Sequence, residues 1–173
     1  MKKDYIKSIA VLGAICLVIA ALLATVNYFT APVIKENSAA KENASLSEVL
    51  PGSKKFKAEK LPEGAAESVT GIYTDEGGAG YAVTLSASSA YSGSPMTFTL
   101  GVDADGKVVG VKITNYSETK DFGSDYPDSY IGVDADSARD VDLAAGVTYS
   151  STAFREAVCD ALEAVDMIRE GRG

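Results

Sequence analysis

The stretch DLAAGVTYSSTAFREAV, starting at Asp142, gathers four aliphatic hydroxyls at Thr148, Ser150, Ser151 and Thr152. Such a hydroxyl becomes a nucleophile only when a nearby base removes its proton, and the chain contains no histidine. Thr148 is therefore no self-activated nucleophile; its available chemistry is to be esterified by an outside enzyme. A helix starting near Ser151 would present free amides and a positive dipole end just beyond it, which favours a phosphate. A purely local reading competes. Gly146 relaxes the turn, and Ser150 or Ser151 caps the helix by accepting a hydrogen bond from a first-turn amide, worth about 1 kcal/mol.

Other chemistries drop out. Without histidine, and with cysteine only at positions 16 and 159, the usual zinc sites, haem attachment and imidazole dyads are excluded. Cys16 lies in an apolar run and Cys159 on the last helix, so both are expected as free thiols. Sixteen basic residues against 24 acidic ones leave a net charge of −8, which repels nucleic acid. The glycines at 77–80 form a turn rather than a phosphate loop, since no Lys-Ser/Thr pair follows. Asp103, Asp105, Asp134 and Asp136 lack the ligand spacing of a calcium loop and read as solvated turns.

The hydroxyl turn must be held by the elements around it. Phe154, Val158, Leu162, Val165 and Ile168 recur at helical intervals, with charged residues between them. Upstream, Met96, Phe98, Leu100 and Val102 alternate with Thr97, Thr99 and Gly101, as in a half-buried strand. Asp105 and Gly106 make a hairpin turn, after which Val109, Val111 and Ile113 resume the alternation. Leu46, Val49 and Leu50 have helical spacing before Pro51 and Gly52 stop it. Strands and helices are segregated along the chain, so the class is α+β, an antiparallel sheet with packed helices.

Residues Ser8 to Ile34 carry no charge, and Ile9 to Val26 would span about 27 Å as a helix at about 1.5 Å per residue, close to a bilayer core. Lys2, Lys3 and Lys7 against Asp4 place the N-terminus in the cytoplasm, with the rest outside. A cleaved signal peptide is the rival reading, although the run is longer than a usual apolar core of that kind. The expected organisation is a transmembrane anchor over 1–34, a membrane-proximal helix and linker over 35–67, and a domain over 68–173.

The sequence around Thr148 resembles the flavinylation motif of FMN-binding domains, Asp-x-x-Ser-Gly-Ala-Thr followed by hydroxyl residues and a helix. Asp142, Gly146 and Thr148 match, while Ala145 and Val147 replace the usual serine and alanine. NYSETKDFGSDY resembles the Glu-Thr-Pro-Gly-Leu-Gly loop of the same family. There Glu118, Thr119 and Gly123 match, Phe122 fills the apolar slot, and Lys120 and Asp121 replace proline and glycine. Tyr91 and Gly93, in AYSGSP, followed by the 101–113 hairpin, keep the family's order of elements. With the anchor and the TAPVI after it, the whole resembles the G subunits of Rnf-type ion-translocating ferredoxin:NAD oxidoreductases.

The resemblance implies covalent FMN on Thr148, with Glu118, Thr119, Phe122, Tyr91, Ala145, Gly146, Val147, Ser150 and Ser151 as cofactor-binding residues and no catalytic residue or metal. It implies an electron carrier in the bacterial plasma membrane rather than a self-contained catalyst. Its partners would be the other subunits of the complex and a flavin transferase. An extracytoplasmic FMN-binding sensory or regulatory module is the alternative. With Lys2, Lys3, Lys7 and Asp4 set aside, 13 basic against 23 acidic residues leave −10, a field that would lower a flavin's potential.

Overall fold

The computed structural model describes residues 12–13, 15–20, 22–25, 45–89, 94–116, 120, 122–123 and 125–171. The chain forms two compact units, Met1–Glu42 and Asn43–Gly173. In the first, residues 12–13, 15–20 and 22–25 are helical, and Leu12, Ile15, Leu17, Val18, Ile19, Leu22 and Leu23 are all exposed. Among the described residues no helix is long and apolar enough to cross a membrane. Most of the anchor expected over 1–34 lies outside the described residues.

The second unit is α+β. Five antiparallel strands run in sequence order, β1 Phe56–Glu59, β2 Val69–Asp75, β3 Gly80–Ala87, β4 Met96–Asp103 and β5 Val108–Asn115. A short helix α1, Asp125–Asp128, and a 3-10 turn, Ala138–Asp140, precede the long helix α2, Thr148–Glu170. The sheet includes β1, drawn from the stretch read as helix and linker. Four strand residues with a lysine and a glutamate among them carry little periodic signal, and pairing with Ile72–Asp75 decides their state.

Two-residue periodicity divides the sheet faces. Tyr81, Val83, Leu85 and Ala87 of β3, with Met96, Phe98, Leu100 and Val102 of β4, point to the face covered by α2. There they meet Phe154, Val158, Leu162 and Val165, all buried. Each such side chain taken fully from water contributes about 1.5–3 kcal/mol. In β5 the expected alternation fails at one place. Val102 pairs with Val108 and Gly101 with Gly110, so Val109 is an extra, bulged residue and Val108 enters the core in its stead.

Both turns take the expected form. The Asp103 carboxylate accepts hydrogen bonds from the amides of Asp105 and Lys107, both at 2.9 Å, and closes the β4–β5 hairpin. Asp75 does the same for the glycine turn, accepting from the Ala79 amide at 3.0 Å.

The opposite sheet face receives a helical segment at residues 45–49. Leu46 and Val49 are buried against Ala82, with Phe56 and Tyr73 beside them. Gly101 and Gly110 are cross-strand partners, and the Val49 backbone settles into the notch they leave. A Cβ at Gly101 would collide with the Val49 carbonyl oxygen, and one at Gly110 would lie 2.5 Å from it. Lys112 and Glu48 pair across this contact at 2.7 Å, but both are exposed and the pair adds little.

Gly101→Ala should therefore cost about 2 kcal/mol, the scale of overpacking a tight contact, measured by chemical denaturation. In that background Leu46→Ala should cost clearly less than in the parent, because the segment has already been lifted from the sheet.

Candidate functional site

The start of α2 is set by Gly146, whose φ of 81° is a left-handed conformation that side-chain-bearing residues rarely adopt. Ala145 and Gly146 form an exposed turn, and the Val147 amide donates to the Ala144 carbonyl at 3.3 Å. Val147 occupies the N-cap position with φ −135° and ψ 39°, its side chain packed partly against the core. Thr148 opens the helix, and both it and Tyr149 are exposed.

This corrects the expected capping. The helix begins three residues before Ser151, and no side chain caps it. Ser150 and Ser151 are buried inside the first turn. The Ser151 hydroxyl donates back to the carbonyls of Val147, at 3.0 Å, and Thr148, at 3.2 Å. A serine one turn into a helix satisfies its own hydroxyl in this way and leaves the first-turn amides for another acceptor. The Thr148 hydroxyl has no hydrogen-bond partner among the described residues.

Beneath this turn lies an aromatic cluster. Phe154 stacks on Phe98 of β4 with centroids 4.4 Å apart. Around it stand Phe122 at 5.4 Å, Tyr130 at 5.4 Å and Tyr126 at 5.8 Å. Tyr116 closes on Phe122 at 5.0 Å and donates its hydroxyl proton to the Lys120 carbonyl at 2.5 Å. The Tyr126 hydroxyl donates to the Ser151 carbonyl at 3.3 Å and meets the Tyr130 hydroxyl at 3.0 Å. Burial raises the pKa of both Tyr126 and Tyr130 above the ordinary tyrosine value. The segment carrying Phe122 is thus tied to the first turn of α2.

Preceding Thr148, the 139–141 backbone is clamped by Arg155, whose guanidinium donates to the carbonyls of Arg139 and Val141, each at 3.3 Å. Arg139 pairs with Glu163 at 2.9 Å. The Asp134 carboxyl is held below its usual range by hydrogen bonds from the Ser137 hydroxyl and amide. Among the described residues no group of histidines, cysteines and carboxylates is arranged to hold a metal. Both cysteines are free, and burial raises the pKa of the Cys159 thiol, which keeps it protonated.

The structure gathers Phe122, Ala145, Gly146, Val147, Thr148, Ser150 and Ser151 around one end of α2. Tyr91, Glu118 and Thr119 lie outside the described residues, as does Asp121. Two clefts flank the region. One of about 400 Å³ lies beside β5, between Val111, Ile113, Tyr116 and Pro127. The other, of about 320 Å³, lies between the end of β3 and α2, lined by Ser86, Ser88, Ala153, Glu156 and Asp160. Sequence reasoning passed over Tyr126 and Tyr130. Their spacing of four from Phe122 was a signal, hidden because α1 is only four residues long.

A family model described as an FMN-binding domain matches residues 91–163, from before β4 into α2. Residues 91–163 thus carry an FMN-binding domain. A second model, described as the RnfG N-terminal region, matches residues 1–49, and the two together are what the G component of an Rnf complex carries. No curated protein matches the chain. Within the FMN-binding domain the matched span holds Thr148, the uncapped first turn and the whole aromatic cluster. The 1–49 match ends on Val49, the residue seated in the glycine notch.

Tyr126→Phe should cost about 1–2 kcal/mol in urea unfolding, because it strands the fully buried Tyr130 hydroxyl. A tyrosine whose pKa is raised by folding stabilises the protein fully below its unfolded value near 10, and that contribution is lost as pH climbs through the folded value. Tyr126 and Tyr130 should therefore make the domain lose stability above about pH 10, with tyrosinate absorbance appearing together with unfolding.

Proposed function

We propose that the chain is a membrane-anchored flavoprotein that relays electrons through FMN esterified to Thr148. It would work as one component of an Rnf-type ion-translocating ferredoxin:NAD oxidoreductase. The observation that carries this reading is the exposed Thr148 hydroxyl, unpartnered among the described residues, at the start of a 23-residue helix whose N-cap residue makes no side-chain cap, inside the FMN-binding domain match.

The residues present fit the group. A phosphoester on Thr148 would lie at the amide-rich end of α2, where the dipole is positive and the N-cap residue, Val147, supplies no side-chain acceptor. Gly146 turns the chain so that Thr148 faces outward. Ser150 and Ser151 are buried, and the Ser151 hydroxyl is already bonded to backbone, which supports the exposed Thr148 over these two serines as the residue modified. Ala145 and Val147 complete the turn. Phe122 fixes the neighbouring loop against Phe154, and Glu118, Thr119 and Tyr91 are assigned to the flavin from their motif positions.

FMN exchanges one or two electrons, and the protein contributes its attachment, orientation and electrostatic surroundings. With no histidine, the chain does not activate Thr148, so a separate flavin transferase attaches the cofactor. The apolar N-terminal run is a retained membrane helix with its basic end in the cytoplasm, which places the flavin domain outside.

Intact-mass measurement on the full chain, produced with a flavin transferase, should show a gain equal to FMN less one water. Thr148→Ala should abolish the gain, and Ser150→Ala should leave it. A bare wild-type chain under these conditions refutes the proposal.

A further inference from the structure

With the phosphate at Thr148 and Glu118, Thr119 and Tyr91 assigned to the flavin, it remains to ask which of the described residues holds the isoalloxazine ring. Outside residues 12–25, Tyr149 is the most exposed of the large apolar side chains described, at 67%, and it follows the tether residue directly. It makes no ring contact, hydrogen bond or ion pair among the described residues. A single exposed tyrosine is ordinary in itself. Its position makes it informative.

Successive helical residues are about 100° apart, so the two flanks beside Thr148 differ. Thr148 shares a stripe with Thr152 and Arg155, and this flank is closed, because Arg155 clamps the 139–141 backbone against the helix. Tyr149 shares a stripe with Ala153, Glu156 and Asp160. That stripe forms one wall of the cleft of about 320 Å³ facing Ser86 and Ser88. One turn below the tyrosine, Ala153 removes bulk where a planar ring needs room.

We propose that Tyr149 is a positioning residue for the flavin. Its phenol ring stacks on the isoalloxazine of the FMN tethered at Thr148 and holds it over the Ala153 lip of this cleft. The inference rests on the attachment to Thr148. Stacking covers apolar surface of both rings, and offset aromatic contact favours the arrangement beyond that burial. The serine hydroxyls and carboxylates below offer partners for the polar edge of the flavin or its polyol chain. Glu156 and Asp160 also place negative charge on this side, in the direction that disfavours an added electron.

The test uses the full-length flavinylated protein, with intact mass first confirming FMN on the wild type and on each variant. Emission of the attached flavin and its quenching by acrylamide are then read. A stacked phenol quenches by passing one electron to the photoexcited ring and recovering it on return to the ground state, with no net oxidation. Tyr149→Leu should raise emission, and the acrylamide quenching constant with it, by roughly twofold or more, as expected when a stacked aromatic is removed. Tyr149→Phe should raise emission but keep the ring shielded, since phenylalanine stacks yet donates electrons poorly. Ala153→Leu should increase acrylamide access by filling the lip while Tyr149 is intact. Thermal melts of the Tyr149 variants made without flavin should match the parent, because the side chain is exposed there. If Tyr149→Leu carries FMN but shows wild-type emission and quenching, the positioning role is overturned while the attachment stands. If the wild type carries no FMN, the attachment itself falls, and this inference with it.

Discussion

Phe154 is the side chain on which the arrangement turns. It is fully buried, stacked on Phe98 from the sheet and ringed by Phe122, Tyr126 and Tyr130. Its place in the second turn of α2 means that one aromatic contact fixes three things at once: how close the helix start lies to β4, where the 122–130 segment rests, and which way the residues before the helix must leave. Close packing makes such a centre intolerant of change, since any loss of volume there is felt by all its neighbours. The hydroxyls of Tyr126 and Tyr130 bond to each other, and the Ser151 carbonyl accepts from Tyr126. Packing and polar satisfaction thus agree on a single position for the first turn, and Thr148 is presented outward as a result.

The sheet separates this task from a second one. Alternation along β4 sends Met96, Phe98, Leu100 and Val102 toward α2, while Thr97, Thr99 and Gly101 face the other way. That second face receives Leu46 and Val49. A one-residue slip in β4 would exchange the two sets, so the register that buries the helix also places Gly101 opposite Gly110. The contact with residues 45–50 and the geometry around Thr148 therefore depend on the same ladder, although they lie on opposite sides of it.

Where local pattern and tertiary demand coincide, the sequence was readable. The stripe from Phe154 to Ile168, the β4 alternation, the Asp105 and Gly106 hairpin and the 77–80 turn all take the expected form, as does the α+β class. The misses share a cause, which is that long-range contacts decided them. Val108 rather than Val109 enters the core because a bulge absorbs one residue, and two adjacent valines give no hint of which is extra. Ser151 is not a cap, because the chain turns at Gly146 early enough for the helix to start at Thr148, and a buried serine then bonds to its own preceding turn. β1 is specified by its partner strand rather than by its own four residues. Around Thr148 the motif named the turn residues and Phe122. The tyrosines that secure them lie on or beside a helix too short to show a period.

The paired glycines at 101 and 110 also bear on how this domain can be cut from its chain. A fragment beginning at the first strand would leave a bare furrow in a paired sheet, floored by peptide groups and edged by Ala82, with its natural filling gone. Peptide from a neighbouring molecule is the obvious substitute, so such a fragment is disposed to self-associate however well its other face is packed. The economical cut lies ahead of residue 45, where the domain keeps its own plug.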